Sequence, residues 1–325
     1  MSYQKTVAIN LMNEYGRNNI PFLFIIDFEM NKPIVVKLKE IDPAVLLFDI
    51  NGTKNYHVHP VQNKKTVLEK RPVSIDIYKA AFNKILSEIK AGNSYLLNLT
   101  FPTNIETNLS LDEIFFYSRA NYKLLYKNMF VVFSPESFVK ISDGIISSYP
   151  MKGTIDALIK DAQDLILGNE KETAEHTTIV DLIRNDLSIV AKNVKVEKFR
   201  YVDKIVTNDK TLLQVSSKIT GMLDDDYPGK IGDIIFNLLP AGSISGAPKK
   251  KTVEIIKDVE TYSRGFYTGI FGCFDGSSLD SGVMIRFIEK TEDGLIFKSG
   301  GGITYLSNPE SEYQELIDKV YVPIT

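Results

Sequence analysis

Residues 129–150 read MFVVFSPESFVKISDGIISSYP, and their order decides the fold class. The run 129–134 is short, apolar and rich in Val and Phe, so it reads as a strand that stops at Ser134-Pro135. Residues 138–149 follow as a hairpin turning through Ser142-Asp143-Gly144. Three strands in succession break the strand–helix alternation of a doubly wound parallel sheet. The stretch therefore predicts an α+β fold of packed, largely antiparallel β-sheets surrounded by helices.

The pattern holds further out. Upstream, 22–29 (FLFIIDFE), 34–38 (IVVKL) and 45–50 (VLLFDI) read as strands, whereas 53–73 is polar and loop-like. A helix begins at Ser74 as N-cap and runs to Gly92, with Ile75, Tyr78, Phe82, Ile85, Leu86 and Ile89 at helical spacing. A strand at 95–101 and a helix near 111–120 lead back to the starting stretch. Downstream, a long helix is predicted at 170–190 and shorter ones at 230–238, 248–260 and 309–320. Further strands are predicted at 194–199, 211–220, 266–274, 282–289 and 295–299. The division expected is a strand-rich portion, 1–73, packing on a core, 74–325.

Composition narrows the chemistry. The chain has 325 residues, 44% hydrophobic and 24% charged, which suits one large or two ordinary globular domains. No apolar run approaches the ~18–20 residues of a membrane span. The first residues lack a signal-peptide core, and a single cysteine, Cys273, fits a reducing cytoplasm. A net charge of −3 gives no basic footprint for nucleic acid. One Cys and three His (His57, His59 and His176) supply neither a zinc site nor a hydrolase triad readily. His57 and His59 read as surface or structural residues, and Cys273 as core. Carboxylates, lysines and glycines must carry any chemistry.

Six features stand out. Glu172 and Glu175 lie at i and i+3 on the long helix, in line with Ile179 and Leu182. They read either as solvated acids favoured by a helix N-terminus or as carboxylates turned inward. Glu312 and Glu315 repeat the spacing on a helix capped by Asn308 and started by Pro309. Should the two helices meet, their four carboxylates call for a hard cation, Mg²⁺. Lys152, in PMKGT, is either an exposed turn lysine or a buried one with a lowered pKa that becomes a nucleophile or base. Glu136, after Ser134-Pro135, is an ordinary loop residue or a general acid in an apolar pocket. The loops 240–248 (PAGSISGAP) and 299–303 (SGGGI) let backbone N–H groups approach an anion. Arg286, within the apolar run VMIRFI, favours a carboxylate partner or ligand.

In this order, SPESF, SYPMKGT, KETAEHTTIVDLIRNDL, LLPAGSISGAPKKKTVEII, RGFYTGIFG, MIRF, SGGGI and ESEYQELIDKV resemble the chorismate-utilising enzymes from about residue 74 to 321. The resemblance implies chorismate and Mg²⁺ bound deep between packed sheets. Glu175 and Glu315 would be direct Mg²⁺ ligands, with Glu172 and Glu312 acting through water. Thr154 and the backbone of Gly302 would help clamp the ring carboxylate, and Tyr267, Arg286 and Gly300 would hold the enolpyruvyl carboxylate. The PxKGT lysine resembles the aminodeoxychorismate synthase branch; anthranilate synthases, the nearest alternative, usually carry alanine there. Lys152 would attack C2 of chorismate while Glu136 protonates the departing C4 hydroxyl. Ammonia would then attack C4 and release the lysine, giving 4-amino-4-deoxychorismate for 4-aminobenzoate and folate.

Two departures from the family pattern matter. Gln214 stands where a histidine is common, and it hydrogen-bonds without shuttling protons. Gly92-Asn93-Ser94-Tyr95 leads to Leu96 rather than to the water-activating lysine of isochorismate and salicylate synthases. With no glutaminase nucleophile in the sequence, ammonia is expected from a separate glutamine amidotransferase subunit. The short region before the core also implies insensitivity to tryptophan.

Overall fold

The computed structural model describes residues 2–57, 66–206 and 211–323. Two sheets organise them, and every strand pairing is antiparallel. The first sheet runs Met151–Asp156, Thr211–Met222, Ile145–Ser148, Ser137–Ser142, Leu279–Val283, Ile270–Phe274, Phe22–Ile26, Ile34–Lys37, with Lys192–Val206 also on Thr211–Met222. The second runs Gly246–Ala247, Leu96–Thr107, Gly294–Thr304, Phe287–Thr291, Phe130–Ser134, Tyr122–Tyr126, Leu46–Ile50, Thr53–Lys54, with Leu68–Arg71 also on Leu96–Thr107. The hairpin predicted from Ser142-Asp143-Gly144 is present, with Asp143 and Gly144 both at positive φ.

Strand alternation builds the core on both faces. In Phe22–Ile26 all five residues are buried. Phe22, Phe24 and Ile26 join the large cluster under the helices. Leu23 and Ile25 face the second sheet, meeting Phe48, Leu124 and Phe130 in the cluster between the sheets. Cys273 belongs to that inter-sheet cluster, as expected of a core residue. The other face of the second sheet is closed by helix Leu111–Tyr117 through Ile114 and Phe115.

Several elements differ from the sequence reading. Helix Lys5–Arg17 was not foreseen; it buries only Ala8, Met12 and Gly16, a stripe too narrow and too small to stand out. Leu68–Arg71 forms a strand inside the stretch read as loop because it is half-exposed and polar. Tyr122–Tyr126 is a further strand. The predicted strand 282–289 is two strands. Leu279–Val283 belongs to the first sheet and Phe287–Thr291 to the second, and the chain crosses between them through Met284, Ile285 and Arg286. Arg286 is therefore not an in-strand residue but a crossover residue at φ 52°. His59 lies outside the described residues, and His57 is exposed.

The strands of residues 1–73 are not set apart. Phe22–Ile26 pairs with Ile270–Phe274, and Leu46–Ile50 pairs with Tyr122–Tyr126. No helix among the described residues is long and apolar enough to cross a membrane.

Candidate active site

A cavity of about 390 Å³ opens where the two sheets and the helices Glu170–Val190 and Pro309–Asp318 approach one another. Its wall contains Lys152, Glu136, Thr154, Gln214, Tyr267, Arg286, Gly300, Gly302, Glu172, Glu175, Glu312 and Glu315. These twelve expected site residues thus line one cavity, drawn from both sheets, both helices and the segments between them.

Lys152 arrives on strand Met151–Asp156, not in a turn. The strand carries a bulge between Lys152 and Thr154, with Gly153 at φ 70°. Thr154 pairs in register with Gln214. Lys152 Nζ donates to Glu175 Oε2 at 3.1 Å. Here the structure corrects the expectation of a lowered pKa. Burial pushes the ammonium down, but the nearby carboxylates of Glu175, Glu172 and Glu315 outweigh it and hold the lysine above its ordinary value.

Glu136 follows the predicted direction. Burial raises its carboxyl above the usual range, although the hydrogen bond from Ser243 and the charges of Lys152, Arg286 and Lys319 pull the other way. Ser243 Oγ donates to Glu136 Oε1 from the short helix Gly242–Ser245. The sequence showed that loop as glycine-rich, but not that its serine would face a carboxyl. Tyr267 is buried, and burial raises its hydroxyl, leaving it a neutral donor.

Arg286 stacks its guanidinium 5.2 Å from the Tyr321 ring. Its Nε is buried without a hydrogen-bond partner among the described residues. A buried donor of this kind calls for an acceptor oxygen, from water or from a ligand. Lys319 also faces the cavity. It pairs with Glu315, one helical turn earlier, at 2.5 Å and donates to Gly300 O at 2.8 Å.

The four glutamates differ in burial. Glu175 is 7% exposed and Glu312 3%, whereas Glu315 is exposed. Glu312 accepts from Ser307 Oγ at 2.8 Å. A Cβ placed on Gly301 would stand 3.5 Å from Glu312 Oε2 and 3.7 Å from Glu315 Oε1. The missing side chain leaves a hollow between these carboxylates. Among the described residues no three His, Cys, Asp or Glu side chains already form a metal cluster. Mg²⁺ does not require one, because it uses one or two carboxylates and keeps several waters. This all-oxygen, acid-rich set could hold such a cation.

His176 was not assigned a role. It is buried beside Glu175, its Nε2 sharing a 2.7 Å hydrogen bond with Ser217 Oγ, and its pKa is lowered to about 4, chiefly by burial. It supports the helix rather than lining the cavity.

Comparisons with known proteins show the family. Residues 32–325 match the family described as chorismate binding enzyme. A Haemophilus influenzae protein named "Uncharacterized PabA-like protein" is 51% identical over 97% of this chain and 96% of its own length. Aminodeoxychorismate synthase component 1 of Bacillus subtilis is 31% identical over 77% of this chain, and the match spans 55% of that subunit. Anthranilate synthase component 1 of Spirochaeta aurantia is 35% identical over 58% of this chain and 39% of that subunit. Among solved structures, anthranilate synthase component I from Streptococcus pneumoniae superposes with a TM-score of 0.65 at 25% identity, covering 87% of this chain and 62% of the other. The Escherichia coli isochorismate synthase MenF shares the fold, with a TM-score of 0.74 at 14% identity and coverage of 98% and 82%.

Proposed function

This chain belongs to the chorismate-binding enzyme family, and from that premise we propose that it aminates chorismate to 4-amino-4-deoxychorismate. The observation that carries the reading is Lys152, a primary amine in the cavity wall that also contains Glu136. Relatives that make different products from chorismate are similarly distant from this chain, so overall identity does not decide between them. A lysine and a protonated carboxyl in one cavity suit the displacement of a hydroxyl. Hydroxide leaves poorly unless an acid protonates it.

The steps balance as follows. The neutral Nζ of Lys152 bonds to C2, the ring double bond shifts, and the C4–O bond breaks. Glu136 gives its proton to that oxygen, which leaves as water. Ammonia then bonds to C4, the double bond returns, the C2–N bond breaks to release the lysine as a neutral amine, and the new C4 ammonium returns a proton to the Glu136 carboxylate. The net reaction consumes chorismate and ammonia and yields 4-amino-4-deoxychorismate and water.

Arg286, Tyr267 and the backbone at Gly300 offer donors for one substrate carboxylate; Thr154 and Gly302 flank the other. Gln214 orients ligand by hydrogen bonding. Glu175, Glu315, Glu172 and Glu312 would hold Mg²⁺. Bound there, the cation supplies positive potential for a substrate carboxylate and neutralises the charge that otherwise keeps Lys152 protonated. Ammonia would come from a separate glutamine amidotransferase subunit, acting with this chain in the cytoplasm on the route to 4-aminobenzoate and folate.

The test is chromatographic identification of the product from chorismate, Mg²⁺ and an ammonium salt. Formation of 4-amino-4-deoxychorismate supports the reading. Anthranilate plus pyruvate would replace it with the anthranilate synthase alternative.

A further inference from the structure

Behind the cavity wall lies a buried ion pair for which the proposed chemistry has no use. Arg264 is 1% exposed and Glu260 8%. Nε and Nη2 of Arg264 donate to the two Glu260 oxygens at 2.8 and 2.6 Å. The same guanidinium donates to Asn98 O at 2.7 Å, to Ile244 O at 2.9 Å and to Thr268 Oγ1 at 3.5 Å. Glu260 Oε1 also accepts from Thr100 N at 2.9 Å and Thr100 Oγ1 at 2.7 Å.

A buried ion pair is weak as a source of stability, since apolar packing of equal volume often does as well. What distinguishes this pair is where its bonds go. Asn98, Ile244 and Thr268 all line the cavity, and they come from three separate segments. Ile244 follows Ser243, the donor to Glu136. Thr100 is the register partner of Gly300. Thr268 sits at φ 61°, a left-handed conformation unfavourable for a β-branched residue, and it follows Tyr267. One planar fork therefore ties together the short helix whose Ser243 bonds Glu136, the strand backing the glycines and the strained segment bearing Tyr267.

We propose that Arg264, oriented by Glu260, is a positioning residue that fixes the spacing of these three walls without touching substrate. This rests on the reading that the cavity binds chorismate.

The test compares the full chain with Arg264→Lys and Thr100→Val. It follows chorismate consumption with Mg²⁺ and ammonium and, separately, chorismate binding by calorimetry. Lysine keeps the charge but lacks the fork. Thr100→Val keeps the shape and removes the hydroxyl that donates to Glu260 and shares a 2.6 Å hydrogen bond with Tyr262 Oη, so it remains informative if Arg264→Lys does not fold. Lys123→Met is the control for lost stability. That buried lysine donates to Phe115 O and Ser118 O beside the outer cluster of the second sheet.

Arg264→Lys is expected to lower kcat ~10-fold or more and to raise KM for chorismate, because misplaced groups cost rate steeply. Thr100→Val should move both in the same direction by ~3-fold or more, the scale of the hydroxyl's lost hydrogen bonds. Lys123→Met should lower the melting temperature while leaving kcat and KM unchanged. Wild-type kinetics in both test variants, or the same losses in Lys123→Met, would overturn the positioning role. A wild-type protein that neither binds nor consumes chorismate would overturn the proposed function and this inference with it.

Discussion

At the scale of single residues, the environments of three side chains assign them different work. Lys152 is held charged by three carboxylates, so its nucleophilicity depends on what else occupies the acid-rich site. Lys152→Ala should keep the fold, measured by circular dichroism, and lose ammonia-dependent turnover; a folded variant with normal turnover would rule out the covalent route. Glu136 is raised by burial, so it keeps its proton to higher pH than an ordinary carboxyl. A step that needs that proton persists above the ordinary carboxyl pKa and is lost as pH climbs through the raised one. Glu136→Gln should cut kcat ~10²–10⁴-fold, the usual worth of a general acid, and remove that limb of the pH–rate profile. Cys273 is the contrasting case. Burial pushes its thiol up to about 12, so almost no thiolate exists near pH 8. An aromatic disulfide reagent should therefore label no thiol in the native chain and one after denaturation. Rapid native labelling would place Cys273 outside the inter-sheet core.

At the scale of elements, the strand pairing that builds the cavity leaves little room at Gly300. A Cβ on Gly300 would stand 2.4 Å from Leu99 O and 2.5 Å from Thr100 Cγ2, so Gly300→Ala must push two paired strands apart. We expect a loss of about 1–3 kcal/mol by chemical denaturation, the usual cost of overpacking, together with weaker chorismate binding. Unchanged stability and affinity would show that the pairing of Gly300 with Thr100 is looser than described. These glycines were legible in the sequence as a loop; that they lie within strand Gly294–Thr304 was not, because glycine carries no periodicity. The long helix was legible from end to end, its expected bounds of 170–190 matching Glu170–Val190. Lys5–Arg17 was hidden because Ala8 and Gly16 give almost no apolar signal. Gly16 buries its face by close approach, a Cβ there falling 2.0 Å from Pro228 O. The break at Arg286 was illegible for a different reason. VMIRFI is apolar on both sides of a crossover, and alternation cannot reveal that two halves belong to different sheets. The acidic pairs were visible as spacings, but their convergence on one cavity depends on contacts distant in sequence. Ser243 meets a carboxyl more than a hundred residues away, and Arg264, beyond its i,i+4 partner Glu260, reaches backbone carbonyls of distant segments, which no local pattern records.

At the scale of the whole molecule, two packed antiparallel sheets bring carboxylates, cations and glycine backbone to one cavity, and the described residues contain no activated thiol. The purified chain should therefore use ammonium salt and ignore glutamine, with turnover rising as pH releases neutral ammonia. Glutamine-dependent turnover by the chain alone would remove the need for an amidotransferase partner while leaving the chorismate chemistry standing. The central claim is that Lys152 makes this cavity an aminating one. Its most direct measurement is mass spectrometry of the intact protein mixed with chorismate and Mg²⁺ in the absence of any nitrogen source. The prediction is an adduct of chorismate less one water on the wild-type chain, absent from Lys152→Ala and discharged as 4-amino-4-deoxychorismate when ammonium is added. An unmodified wild-type chain that still aminates chorismate, or an adduct that persists in Lys152→Ala, would contradict it.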